Sequence, residues 1–159
     1  MNSSAVLSPA ERAFVTPRRD AVLATQDPHG RPRLVPICFV LAPDNGSLGR
    51  PRLYSPLDEK PKRSPDPKRL ARVRDLLVLP AATILVDRWS EDWDRLGWVR
   101  LYAGAELLEP EPRERDEHAA AVAALRAKYE QYASQRLEER PIIRFSIDRA
   151  VSWGDLAPD

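Results

Sequence analysis

Strand-like segments in this 159-residue chain follow one another across turns rather than across helices, and that pattern limits the fold more than any other feature. Ala21-Val22-Leu23-Ala24-Thr25 and residues 33–41 are rich in Val, Ile, Leu and Phe. Between them lies Asp27-Pro28-His29-Gly30, with Asp, Pro and Gly where a type I turn favours them. Pro36 cannot donate to a hydrogen-bond ladder, so the second segment belongs at a sheet edge or a bulge. Asp44-Asn45-Gly46 marks the next reversal and residues 52–55 a short third strand, and these three read as a meander. Residues 82–89 and 98–108 are two further strands across the polar loop 90–97. Ile143, Phe145 and Ile147 alternate with Arg144, Ser146 and Asp148, which describes a last strand buried on one face. Six strands in two groups cannot form βαβ units throughout. The expected fold is α+β, a six-stranded antiparallel β-barrel with flanking helices.

Three helices frame these strands. Ser8-Pro9-Ala10-Glu11 combines an N-cap serine, proline at the first helical position and a capping-box glutamate, for a helix running to about Val15. Ser64-Pro65-Asp66-Pro67 offers two overlapping cap-plus-proline starts for a second, in which Leu70, Val73 and Leu77 recur at helical spacing until Pro80 stops it. The third covers residues 112–132, with Ala119, Val122, Leu125, Tyr129 and Tyr132 on one stripe. No repeat or long linker divides the chain, so residues 1–159 read as one domain with a core of about 11–153.

Composition removes whole classes of function. Cys38, the only cysteine, excludes an internal disulfide framework and every multi-cysteine zinc pattern, and no metal site is expected. The uncharged apolar run Leu76 to Val86 is 11 residues long and contains Pro80, too short to cross a bilayer. Met1-Asn2-Ser3-Ser4 has neither a basic nor an apolar leader segment, so a soluble, cytoplasmic protein without a membrane partner is expected. The glycines at 30, 46, 49, 97, 104 and 154 form neither GxGxxG nor a Walker loop. His29 falls in a turn and His118 on the polar side of a helix, away from any triad or metal cage. Cys38 in its apolar strand reads as a small hydrophobe. The acidic cluster 109–117, interleaved with Arg113 and Arg115, reads as a solvated helix end. No catalytic residue is singled out, so if the protein is an enzyme a cofactor carries its reaction.

Charge is concentrated in one place. Residues 60–75 hold Lys60, Lys62, Arg63, Lys68, Arg69, Arg72 and Arg74 against Asp66 and Asp75, a local +5 in a chain whose net charge is +1. A phosphate there gains from helix N–H groups and from charge-assisted bonds worth about 1.5–3 kcal/mol each. The same residues could instead form a solvated helix face. One short patch on a chain of pI near 7.9 argues against nucleic acid as a partner, because duplex binders show a wider basic surface.

The order of these features carries a resemblance. Arg33-Leu34-Val35-Pro36-Ile37-Cys38-Phe39, Leu53-Tyr54-Ser55-Pro56 and Lys60-Pro61-Lys62-Arg63 resemble the flavin-binding split-barrel superfamily, the pyridoxamine phosphate oxidase-like group. Ile84-Leu85-Val86-Asp87-Arg88-Trp89-Ser90-Glu91-Asp92-Trp93, followed by Trp98-Val99-Arg100, looks like its actinobacterial branch of deazaflavin (coenzyme F-420) dependent oxidoreductases. The resemblance implies a six-stranded split barrel that forms a homodimer, with two cofactor sites at the interface. It implies a ring lying against Val35, Pro36, Ile37 and Cys38 near Arg33, and a phosphate held by Tyr54, Ser55, Lys60, Lys62 and Arg63. Trp89, Trp93 and Trp98 either wall the site or simply pack, and Trp98 is placed nearest to it. Cys38 stands where true pyridoxine phosphate oxidases carry a lysine, and their C-terminal extension has no counterpart after Trp153, which argues against that substrate. The expected activity is hydride transfer between coenzyme F-420 and a small electron-poor organic substrate. An FMN-dependent oxidoreductase of the same fold, or a non-catalytic flavin or tetrapyrrole carrier, is the alternative.

Overall fold

The computed structural model describes residues 5–57, 66 and 70–159. Helix α1 (Pro9–Val15) begins with the capping box read from the sequence: the Glu11 amide donates to Ser8 Oγ at 3.1 Å and the Ser8 amide to Glu11 Oε2 at 2.9 Å. Seven strands follow in one sheet: β1 (Ala21–Gln26), β2 (Pro32–Ile37), β3 (Val40–Leu41), β4 (Arg52–Pro56), β5 (Ala81–Arg88), β6 (Gly97–Leu108) and β7 (Ile142–Gly154). Helix α2 (Ala71–Val78) precedes β5, and α3 (Arg115–Lys128) lies between β6 and β7. The sheet is antiparallel in the order β2-β1-β5-β6-β7-β4-β3.

Strands β2 and β3 are the two outer edges of this sheet, yet only Cys38 and Phe39 separate them in sequence. Three peptide steps span at most about 11 Å, so the sheet must curl until its edges nearly meet. Chain connectivity alone therefore makes the sheet a barrel split along one seam. The segment 33–41, expected as one strand, breaks at this corner, which accounts for seven strands rather than six. The expected meander survives in two pieces: β1 pairs with β2 and β4 with β3, the far end of the same expected strand, while β4 also pairs with β7. Pro36 does lie on an edge strand, a place where a sheet tolerates a residue without an N–H.

The seam is closed by side chains. Ser55 Oγ donates to the Cys38 carbonyl at 2.9 Å. The Tyr129 hydroxyl accepts from the Phe39 amide at 3.0 Å and lies 2.9 Å from the Phe39 carbonyl and 2.8 Å from that of Arg19. Lys128 Nζ donates to the Phe39 carbonyl at 3.0 Å and sits 4.1 Å from the centre of its ring.

Inside the barrel, alternate residues of each strand meet in one apolar core that includes Leu23, Leu53, Ile84, Leu101 and Phe145. A second cluster packs α3 through Val122 and Leu125, together with Tyr129 and Tyr132, against Val40, Tyr54, Leu108 and Ile142. The helical stripes differ in detail from the sequence expectation. Leu76 rather than Leu77 is buried on α2, and Ala121 rather than Ala119 on α3. Tyr129 and Tyr132 keep their buried places in a 3-10 turn beyond the end of α3. His118, expected on a polar face, is buried with Nε2 2.6 Å from the Arg140 carbonyl.

Candidate functional site

The outer face of the sheet is the unusual surface. Burial alternates along β6, so Val99, Leu101 and Ala103 point into the barrel while Trp98, Arg100 and Tyr102 point away from it. Strand register extends that outward face across five strands. One row runs Pro36, Val22, Leu85, Arg100, Val151, the next Leu34, Ala24, Thr83, Tyr102, Arg149, and Trp98 stands opposite Trp153. Leu34 is 67% exposed and Trp153 55%, and no element among the described residues covers this apolar face.

A bulge shapes one end of it. Tyr102 pairs with Arg149 and Ala103 with Ile147, which leaves Asp148 as the extra residue. Two successive side chains therefore turn outward: Asp148 to an ion pair with Arg50 at 3.1 Å, Arg149 to the face of Tyr102. Beside the bulge opens a cleft of about 440 Å³, walled by Ala24, Pro32, Leu79, Thr83, Tyr102 and Asp148. That volume falls within the ordinary range of small-molecule sites, about 300–1,000 Å³.

Flanking the cleft, α2 is tied to β1 and β2 by the buried Asp75, which accepts from Thr25 Oγ1 at 2.8 Å and Arg33 Nε at 2.7 Å. The ion pair and hydrogen bond with Asp75 raise the Arg33 pKa. A smaller hollow beside this pair is lined by Arg33, Arg74 and Asp75. Asp75 thereby fixes where the described part of the basic segment begins to run along the barrel.

The residues expected to hold a cofactor are dispersed. Arg33 is committed to Asp75, and Val35 and Ile37 turn toward the core while Pro36 faces outward. Side-chain contacts with one ring are thus split between two faces, and what these residues share is the edge-strand backbone. Cys38 lies at the seam, half-buried. Ser55 is buried beneath it, and the Tyr54 hydroxyl donates to Glu117 Oε1 at 2.6 Å. Lys60, Lys62, Arg63, Lys68 and Arg69 lie outside the described residues. Trp98 is on the outward face, with the Arg100 guanidinium 5.1 Å from its ring, whereas Trp89 and Trp93 are exposed beyond the end of β5.

Glu117 departs from the solvated helix end expected of residues 109–117. Besides Tyr54 it accepts from Arg52 Nη1 at 3.0 Å and Arg144 Nη1 at 2.7 Å, at the mouth of a cleft of about 260 Å³ between α3 and the β3–β4 pair. Arg144 also pairs with Glu106. Burial, reinforced by the carboxylate of Glu117, pushes the Tyr54 phenol up to about 12. Each of these positive side chains is matched by a carboxylate, so this second cleft carries little net charge.

An open apolar sheet face, a cleft sunk into it and a curled antiparallel sheet define a split-barrel protein of the α+β class. The chain belongs to the pyridoxamine 5'-phosphate oxidase family, whose model matches residues 7–154. Solved structures share the fold. A conserved hypothetical protein of Mycobacterium tuberculosis superposes with a TM-score of 0.67 at 21% identity, over 97% of this chain and 89% of its own. HutZ, the heme storage protein of Vibrio cholerae, gives 0.64 at 16% identity over 93% and 94%. A FAD-binding protein of Mesorhizobium loti gives 0.60 at 18% identity over 92% of each. No curated protein matches the chain by sequence. No helix of the described residues is long and apolar enough to cross a membrane, and none of their His, Cys, Asp and Glu side chains cluster as a metal site would require.

Proposed function

We propose that the protein is an oxidoreductase that binds coenzyme F-420, or alternatively FMN, in a homodimer whose two copies meet on the outward sheet face. The observation that carries this reading is the juxtaposition on one surface of the uncovered rows through Leu34, Leu85, Trp98 and Trp153 with a cleft large enough for a tricyclic ring. A second copy would bury that face and convert an open trough into an enclosed site. The residues present suit a flavin-type group: the walls Ala24, Pro32 and Leu79 are apolar, Thr83 and Tyr102 supply hydroxyls, and α2, which follows the basic segment in sequence, flanks the cleft. Lys60, Lys62 and Arg63 would hold the phosphate, with Arg33 and the backbone of Val35, Pro36, Ile37 and Cys38 near the ring.

When bound, the cofactor supplies the hydride. The chain's own groups hold it against the sheet, exclude water and orient a small electron-poor acceptor beside Trp98 and Tyr102. No general acid is assigned, so the proton that follows the hydride comes from solvent. Titration of the purified protein with FMN, FAD and F-420, read by fluorescence quenching, tests the cofactor. Sedimentation of Leu34→Asp, which places a charge among the exposed apolar residues of that face, tests the dimer. The reading expects saturable binding of F-420 or FMN and a monomeric variant of unchanged circular dichroism; no binding, or an unaltered assembly, overturns it.

A tetrapyrrole carrier is the second reading, and one feature favours it: His29 is exposed at the β1–β2 turn, free to reach an iron, whereas His118 is buried against Arg140. A shifted Soret band on hemin addition that His29→Ala abolishes would support it.

A further inference from the structure

Two guanidinium groups share one aromatic ring in the middle of the outward face. Arg100 Cζ lies 5.6 Å from the centre of the Tyr102 ring and Arg149 Cζ 4.4 Å from it. Neither has a carboxylate within ion-pair distance among the described residues. Arg100 is half-buried and its Nε is buried with no acceptor, a state that is unfavourable unless something supplies one. Like charges beside one ring also repel. Tyr102, between the two, is itself a wall of the 440 Å³ cleft. A flat, anionic molecule relieves these strains together: its acid group takes the two guanidinium forks, and its plane lies over Tyr102 at the rim of the cleft, beside the space read above as the cofactor ring's.

From this geometry we infer that Arg100 and Arg149 bind the acid group of the substrate, which is therefore a planar organic anion such as a conjugated carboxylate or an enolate. This rests on the oxidoreductase reading above, in which the cofactor's own acidic tail goes to the segment around Lys60. The bulge at Asp148 is the device that makes the site, because it sends Arg149 to the outward face opposite Tyr102.

The test is calorimetric titration of the cofactor-free protein with 2-naphthoate and with its uncharged amide, 2-naphthamide. The acid should bind at least tenfold more tightly, the equivalent of one charge-assisted bond. Arg100→Gln and Arg149→Gln should each erase that preference while leaving sedimentation and the FMN and F-420 titrations within about twofold of the parent. Equal binding of acid and amide, or a preference that survives the double Arg→Gln change, overturns the inference. So does a parallel loss of cofactor affinity, which would give these arginines to the cofactor tail. Dissociation of the variants without any naphthoate preference would assign them to a carboxylate of a second copy. If neither cofactor binds but the preference persists, the oxidoreductase reading fails and the anion site stands.

Discussion

Arg33 Nε donates to Asp75 Oδ2 at 2.7 Å, joining the edge strand β2 to helix α2 across 42 residues of sequence. Asp75 is 4% exposed and also takes the Thr25 hydroxyl, so its carboxylate joins the start of the barrel to the helix that emerges from the basic segment. Asp75→Ala should destabilise the protein by about 2 kcal/mol, chiefly by leaving the Thr25 hydroxyl unpaired in a buried place. The Arg33 arm lies at the surface and contributes little to that figure. Urea unfolding measures the loss, and hydrogen exchange should show α2 protected least.

The seam offers a second test. Tyr129 is 2% exposed and its hydroxyl serves the amide or carbonyl of Phe39 and the carbonyl of Arg19. Tyr129→Phe should cost about 2 kcal/mol, and Ser55→Ala, which frees the Cys38 carbonyl, about 1 kcal/mol. Thermal unfolding followed by circular dichroism reads both. Equal stability of parent and Tyr129→Phe would show that these bonds do not hold the edges together.

Tyr54 and Tyr129 are each pushed up to about 12, in both cases first by burial; the Glu117 carboxylate adds to the effect at Tyr54. An unfolded tyrosine ionises near 10. The folded chain therefore holds these two protons more tightly, a contribution fully present below pH 10 and lost as pH rises toward 12. Absorbance at the tyrosinate band should show two late-titrating groups, one of which disappears in Tyr54→Phe. Unfolding midpoints should fall above pH 10.

Lys60→Ala combined with Lys62→Ala should weaken F-420 or FMN binding by about 2–5 kcal/mol while circular dichroism and sedimentation stay as in the parent. Fluorescence titration measures the change. Identical curves for parent and double variant would place the cofactor's anionic end elsewhere.

Much of the local structure could be read from residue types. The capping box at Ser8 and Glu11, the turn at Asp27 to Gly30 and the edge position of Pro36 each follow from a backbone rule that operates within a few residues. Gly30 shows the same: its φ of +79° is one that a side chain disfavours. Helix faces were legible less finely, since Leu76 and Leu77 are equally apolar and only packing against the barrel distinguishes them. Arg149 and Glu117 were missed as interacting groups because their partners lie on strands distant in sequence, and Arg100 because only the register shows that it shares Tyr102 with Arg149. One signal of Arg149 was present in the sequence: the alternation of Ile143, Phe145 and Ile147 fails after Asp148, where the bulge lies.

The amino-acid sequence by itself determined an antiparallel α+β domain, the turn at Asp27 to Gly30, the cap of α1 and a concentrated positive charge before α2. These depend on backbone preferences and hydrophobic period, which act over a few residues. Only the tertiary structure decided that β2 and β3 are opposite edges of one curled sheet, that Ser55 and Tyr129 close the seam, and that Arg100 and Arg149 share Tyr102. Those relationships are set by strand order and register, which bring together residues up to 110 positions apart, and no short-range preference encodes them.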